Sequence, residues 1–155
     1  LRRFDYCLNG YLHNFNTTLN GEFYGQARRE FVRKNGFEGH ADVSTWFHEF
    51  TKCLGRSAED CLDHYTGLQL PYSSAIAVDR FVCGVGYGSY ERWFDCLNPL
   101  LNESSAFDRC LESEKFKPGS DACKVQIVEE KCSKKAADWY GKVLEIQGNG
   151  ALENI

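Results

Sequence analysis

The feature that most limits how this chain can fold is the placement of its cysteines: Cys7, Cys53, Cys61, Cys83, Cys96, Cys110, Cys123 and Cys132. Their number is even, and no two are separated by only two residues. A C-x-x-C pair is what a zinc ribbon or a thioredoxin-like redox centre requires, so neither is expected. The cysteines fall about one to each predicted element, as in a framework of bridges. Up to four disulfides using all eight residues are predicted, with their pairing left open. Such frameworks persist in oxidising compartments. Two N-x-S/T sequons, at Asn16 and Asn102, agree with that route as glycosylation sites. The chain is therefore expected to be secreted. It begins at Leu1 without an apolar leader and is read as mature or trimmed.

Between the cysteines, apolar residues recur in steps of three and four, the period of a helix with one buried face. Phe4, Leu8, Tyr11, Leu12 and Phe15 predict a first helix despite Asn9-Gly10 inside it. A second is predicted over about 19–34, ended by Asn35-Gly36. A third follows from an Asp42 cap through Val43, Trp46, Phe47, Phe50 and Leu54 to Gly55. Further helices are expected to begin at Ser57, Pro71 and Ser89, the last ended or kinked by Pro99. A short one covers 106–111. The longest candidate runs from a Ser120 cap to Ile146, with Val125, Val128, Cys132, Ala136, Trp139, Tyr140 and Val143 on one stripe and Gly148-Asn149-Gly150 as its stop. Alternation of period two is scarce, so little sheet is expected. The fold class predicted is all-α, a disulfide-stapled bundle of about seven or eight short helices. It forms one domain over 1–155, with a hinge near 84–88 dividing two lobes.

Composition narrows the function classes. The chain is 43% hydrophobic and 14% aromatic, which excludes disorder. A net charge of −4 and the lack of a long basic stripe argue against nucleic acid as a partner. No apolar run approaches the roughly 20 residues of a membrane span, so none is expected in this chain.

The second half carries Trp93-Phe94-Asp95-Cys96-Leu97, Phe107-x-x-Cys110, Ala122-Cys123-Lys124-x-x-Ile127-x-x-x-Lys131-Cys132 and the pair Trp139-Tyr140. In these residues the chain resembles a nematode-restricted family of secreted, cysteine-rich domains of unknown function. The earlier half matches it more loosely, through Phe50-x-x-Cys53 and Cys61. The resemblance implies a helical, disulfide-bonded extracellular module with no catalytic residues to carry over.

His40, Asp42, His48 and Glu49 are close in sequence, but no second histidine completes H-E-x-x-H. His48 falls opposite its helix's apolar stripe and reads as solvated. Cys61-Leu62-Asp63-His64-Tyr65 is similar to the helix of a secreted phospholipase A2, yet the order of acid and histidine is reversed and no calcium loop precedes it. Gly84-Val85-Gly86-Tyr87-Gly88 lacks the Lys-Ser/Thr of a phosphate-binding loop and reads as a flexible connection. No catalytic residue, metal or cofactor is therefore expected. For binding, Arg28, Arg29, Arg33 and Lys34 form a basic patch that suits an acidic partner. The expected function is a non-catalytic extracellular recognition module acting on a protein or cell surface. The alternatives are a carrier of a small hydrophobic ligand or lipid and, third, a secreted hydrolase.

Overall fold

The computed structural model describes residues 2–17, 24–66, 73–103, 105–111 and 121–151. Among them are the helices α1 (Arg2–His13), α2 (Tyr24–Leu54), α3 (Ala58–Thr66), α4 (Ser73–Val82), α5 (Tyr87–Asn102), α6 (Asp121–Lys131) and α7 (Lys134–Ala151). Two 3₁₀ turns, Gly55–Ser57 and Asp108–Cys110, complete them, and the described residues contain no strand. The expected cap at Ser120, the helix start at Pro71 and the start of the second helix over 19–23 lie outside the described residues.

The helical periodicity is expressed as burial. In α1, Phe4, Leu8, Tyr11 and Leu12 are buried, as is Phe15 just beyond it, while Asn9 and Gly10 are exposed. In α2 the break expected at Asn35-Gly36 is present: Gly36 has φ 70° and ψ −157°, and the helix divides there into two arms. The left-handed value of φ is open to glycine at little steric cost. Asp42 lies exposed inside the second arm and does not cap it. That arm buries His40, Val43, Ser44, Phe47, Phe50 and Leu54.

The long helix expected over 120–146 is two helices. Ser133 separates α6 from α7, and its hydroxyl accepts the backbone N–H of Ala136 at 3.0 Å. This is an N-cap placed where the apolar stripe alone shows no interruption. The stripe itself persists across the break, since Val128, Ala136, Trp139, Tyr140 and Val143 are buried. At its far end α7 continues to Ala151, through the glycines expected to stop it. Likewise, α5 starts at Tyr87, ahead of the expected Ser89 cap, and passes through Pro99. Phe94 and Leu97 anchor its inner face.

One hydrophobic cluster takes in residues from α1, α2, α3, α4, α5, α6 and α7, and so joins chain on both sides of residues 84–88. The turn there is tied down. Gly86 donates its N–H to the Phe81 carbonyl at 2.8 Å, and the Trp139 indole Nε1 donates to the Gly86 carbonyl at 3.0 Å. The flexible hinge expected from its glycines is replaced by a close approach that a larger residue would obstruct. A Cβ on Gly86 would lie 2.8 Å from the Phe81 ring and 3.0 Å from its carbonyl oxygen.

Three disulfides staple this arrangement. Cys7–Cys53 joins α1 to α2, Cys96–Cys132 joins α5 to the α6–α7 turn, and Cys110–Cys123 joins the second 3₁₀ turn to α6. The fourth bridge expected is absent, and Cys61 and Cys83 are free thiols. Cys83 is buried and hydrogen-bonded by the Ser44 side chain, whereas Cys61 is half-buried on α3. Each bridge is typically worth about 2–4 kcal/mol.

The close approach at Gly86 has a measurable consequence. Gly86→Ala is expected to lower the unfolding free energy by about 1–3 kcal/mol, the usual cost of overpacking. Urea titration of both proteins checks this, and an unchanged midpoint would return the turn to a loosely held connection.

Candidate functional site

The buried polar groups form a line through the core. Tyr24 donates its hydroxyl proton to the Tyr11 hydroxyl oxygen at 2.9 Å, and Tyr11 donates to Asp79 Oδ2 at 2.7 Å. Arg28 Nε stands 2.9 Å from Asp79 Oδ1 without the alignment of a hydrogen bond, so this contact is Coulombic. The carboxylate side chain is 0% exposed and the guanidinium side chain 12%. Burial pushes the Asp79 carboxyl up, and the Tyr11 hydrogen bond works against that. Arg28 supplies the charge partner an ionised carboxylate requires there. Burial, followed by the Asp79 charge, pushes the Tyr11 hydroxyl well above its ordinary range.

Beside this line lies His40, also buried. Its Nε2 is 3.0 Å from the Val82 carbonyl, which can only accept, so the ring proton resides on Nε2. Nδ1 is buried without a hydrogen-bond partner. Tyr87 stacks on the ring and Tyr90 meets it edge-on, with centroids 5.5 and 4.6 Å away. Burial lowers the His40 pKa to about 4, the Val82 hydrogen bond opposes this, and the Arg28 charge adds to it. The imidazole is therefore neutral at pH 7. Cys83 is held inert nearby, since burial and then the Asp79 charge push its thiol up to about 12.

Two open grooves lie among the described residues. One, of about 410 Å³, lies between α1 and the second arm of α2, with Cys7 and Cys53 in its lining. Its floor includes Tyr11 and Phe50, stacked with centroids 5.6 Å apart. Its walls include Tyr6 and Trp46, and Tyr6 is 77% exposed. The other, of about 510 Å³, is lined by Ala77, Phe81, Val85 and Ile146, with Arg80 and Glu59. Arg80 also holds Asp63 at 2.6 Å and pairs with Glu59, clamping α4 to α3. Such exposed pairs add about 0–1 kcal/mol.

Of the basic patch read from sequence, one member leaves the surface. Arg28 turns inward to Asp79, Arg33 pairs with Glu30 one turn away, and Arg29 and Lys34 are exposed. Of the four acidic and imidazole groups close in sequence, His40 is buried while Asp42, His48 and Glu49 face water. On α3, Asp63 is bound to Arg80 and His64 is exposed. Asn16 is exposed at φ 57° after α1, and Asn102 is exposed at the end of α5, its amide donating to Asn98 O and Oδ1 at 2.8 and 2.9 Å. The third residues of both sequons, Thr18 and Ser104, lie outside the described residues. The importance of Asp79 escapes a reading of the sequence, although a lone carboxylate between Ile76 and Val82 on an apolar stripe is its visible sign.

No protein-family model, curated protein or solved structure matches this chain.

Two outcomes follow from the buried groups. Arg28→Met or Asp79→Leu alone is expected to cost about 3–5 kcal/mol, because each strands a buried charge. The double variant should cost less than the sum, as a urea-based double-mutant cycle would show. For His40 the folded pKa of about 4 lies below the ordinary 6.5, so its contribution is complete above pH 6.5 and is lost as pH falls toward 4. The total is about 3 kcal/mol. Urea melts between pH 7.5 and 4.5 should show this loss in the native protein and not in His40→Phe.

Proposed function

We propose that this chain is a disulfide-stapled extracellular recognition module, of the nematode-restricted cysteine-rich kind its second half resembles. Non-catalytic binding of a protein at a cell surface is its role. The single observation that carries the reading is the groove between α1 and α2. An aromatic side chain 77% exposed to water, Tyr6, stands over it. A protein gains nothing for its own stability by leaving so large a ring in solvent, and aromatic residues are enriched in the binding patches of interfaces. Cys7–Cys53 fixes the two helices that form the walls, which lowers the entropy lost on binding.

Other features support the reading. The four cysteines in the resembling half pair with one another, Cys96 with Cys132 and Cys110 with Cys123. Three bridges suit an oxidising, extracellular setting, in which the sequons at Asn16 and Asn102 would carry glycans. Among the described residues no helix is long and apolar enough to cross a membrane. Both grooves described above open to solvent, whereas a carrier of a hydrophobic cargo encloses most of its ligand. His40, Asp79 and Cys83 are buried in the core.

The test is binding of fluorescently labelled protein to intact animal cells, nematode cells among them. Tyr6→Ser should reduce surface binding about tenfold or more, as hot-spot aromatics do, while Val85→Ser, in the other groove, should leave it unchanged. Equal binding by Tyr6→Ser and native protein would overturn the groove's role. Native mass spectrometry showing retained lipid would replace the reading with the carrier.

A further inference from the structure

The lining of the α1–α2 groove indicates the chemistry of what enters it. Tyr6 and Trp46 bring aromatic rings to its walls. Glu49 is exposed beside them, and among the described residues it enters no ion pair. Among the described residues that lining holds no lysine or arginine, and its basic side chain is His13. Arg3 lies outside that lining and donates its Nε to the neutral Cys53 carbonyl at 3.1 Å. The groove therefore joins a carboxylate outside any described ion pair to aromatic rings, with the His13 imidazole also in its lining, and the carboxylate and the rings both attract a cation.

Hydrogen bonding narrows the choice. Asn14 directs its amide N–H donors to the Tyr11 carbonyl at 3.1 Å and the Gly10 carbonyl at 3.4 Å, which leaves its side-chain oxygen as an acceptor in the groove lining. A guanidinium carries five N–H donors and no acceptor, is planar, and stacks on aromatic rings. The lining offers both the acceptors and the rings that such a group requires.

Gly10 adds an independent sign. It sits in the middle of α1, where glycine weakens a helix relative to alanine. Nothing in the fold demands it, since a Cβ there would meet no atom within 4 Å. The space above it belongs to the groove. A bare backbone at that point allows an incoming side chain to approach the helix closely.

We propose that the α1–α2 groove receives an arginine side chain of the partner protein. This assignment rests on the recognition reading above, and it names the group recognised.

The probe is the peptide acetyl-Gly-Arg-Gly-amide, compared with the same peptide carrying citrulline, a neutral isostere of arginine. Binding is followed by NMR through the Trp46 indole and Tyr6 ring resonances. The arginine peptide should bind about tenfold more tightly than the citrulline peptide, and Glu49→Gln should remove the difference. Gly10→Ala should raise the melting temperature and yet weaken arginine binding, so that a loss of affinity cannot be ascribed to misfolding. Equal binding of the two peptides, or no effect of Glu49→Gln, overturns the assignment. So does saturation by tetramethylammonium with no preference for arginine over citrulline, which would point to a small organic ammonium. If the peptides are equivalent while Tyr6→Ser still abolishes cell-surface binding, the arginine assignment fails and the recognition reading stands. If Tyr6→Ser binds cells as the native protein does, the recognition reading itself fails.

Discussion

A carboxylate with no exposure to water lies where α1, α2 and α4 meet, and the core around it is built to accommodate that charge. Asp79 comes from α4, the hydroxyl that bonds it from Tyr11 on α1, and the guanidinium beside it from Arg28 on α2. Taking an ion pair out of water incurs a desolvation cost that attraction offsets only when the geometry is good and further hydrogen bonds are made. Three helices must therefore hold their relative positions within tenths of an ångström for the site to be tolerable. The aromatic residues around it, with Tyr11 against Phe15, Tyr24, Phe47 and Phe50, supply the close packing that keeps them there. Such a network selects one arrangement of helices over the many others that an apolar core of similar volume would permit.

The disulfides act at a different level. Cys7–Cys53 fastens the α1–α2 half of this arrangement, while Cys96–Cys132 and Cys110–Cys123 fasten α5, α6 and the 3₁₀ turn between them. Short helices are marginal on their own, and most of their stability comes from packing. Bridges that restrict the unfolded chain compensate for this in a protein whose smaller cluster, Cys110, Cys123 and Ile127, is only a few residues deep. The surface keeps what the core does not use: a groove walled by Tyr6 and Trp46, with Glu49 left free of the ion pairs that occupy Glu30, Glu59, Asp63 and Glu130.

The sequence by itself determined the helical character of the chain, because a three-to-four residue period of apolar side chains has only one regular structure that can bury it. The inward faces of α1 and of the second arm of α2 were legible for that reason, as was the break at Gly36, where the backbone needs a conformation glycine adopts without strain. Periodicity could not reveal Ser133, since a two-residue interruption preserves the stripe on either side of it. It also could not show that Gly84–Gly86 is held firmly, because the constraint is an indole donated from Trp139, more than fifty residues away in the chain. Tertiary structure alone decided which cysteines meet, and it left Cys61 and Cys83 as thiols. It also decided which charges lie inside: Arg28 reads as one member of a basic surface run, and becomes the partner of Asp79 only when α2 crosses α4. The groove belongs to the same category, for its rings and its carboxylate come from helices whose juxtaposition no local pattern encodes. Local sequence fixes the periods of helices and the conformations of turns, while charge pairing, cysteine pairing and binding surfaces depend on distances through space between residues far apart along the chain.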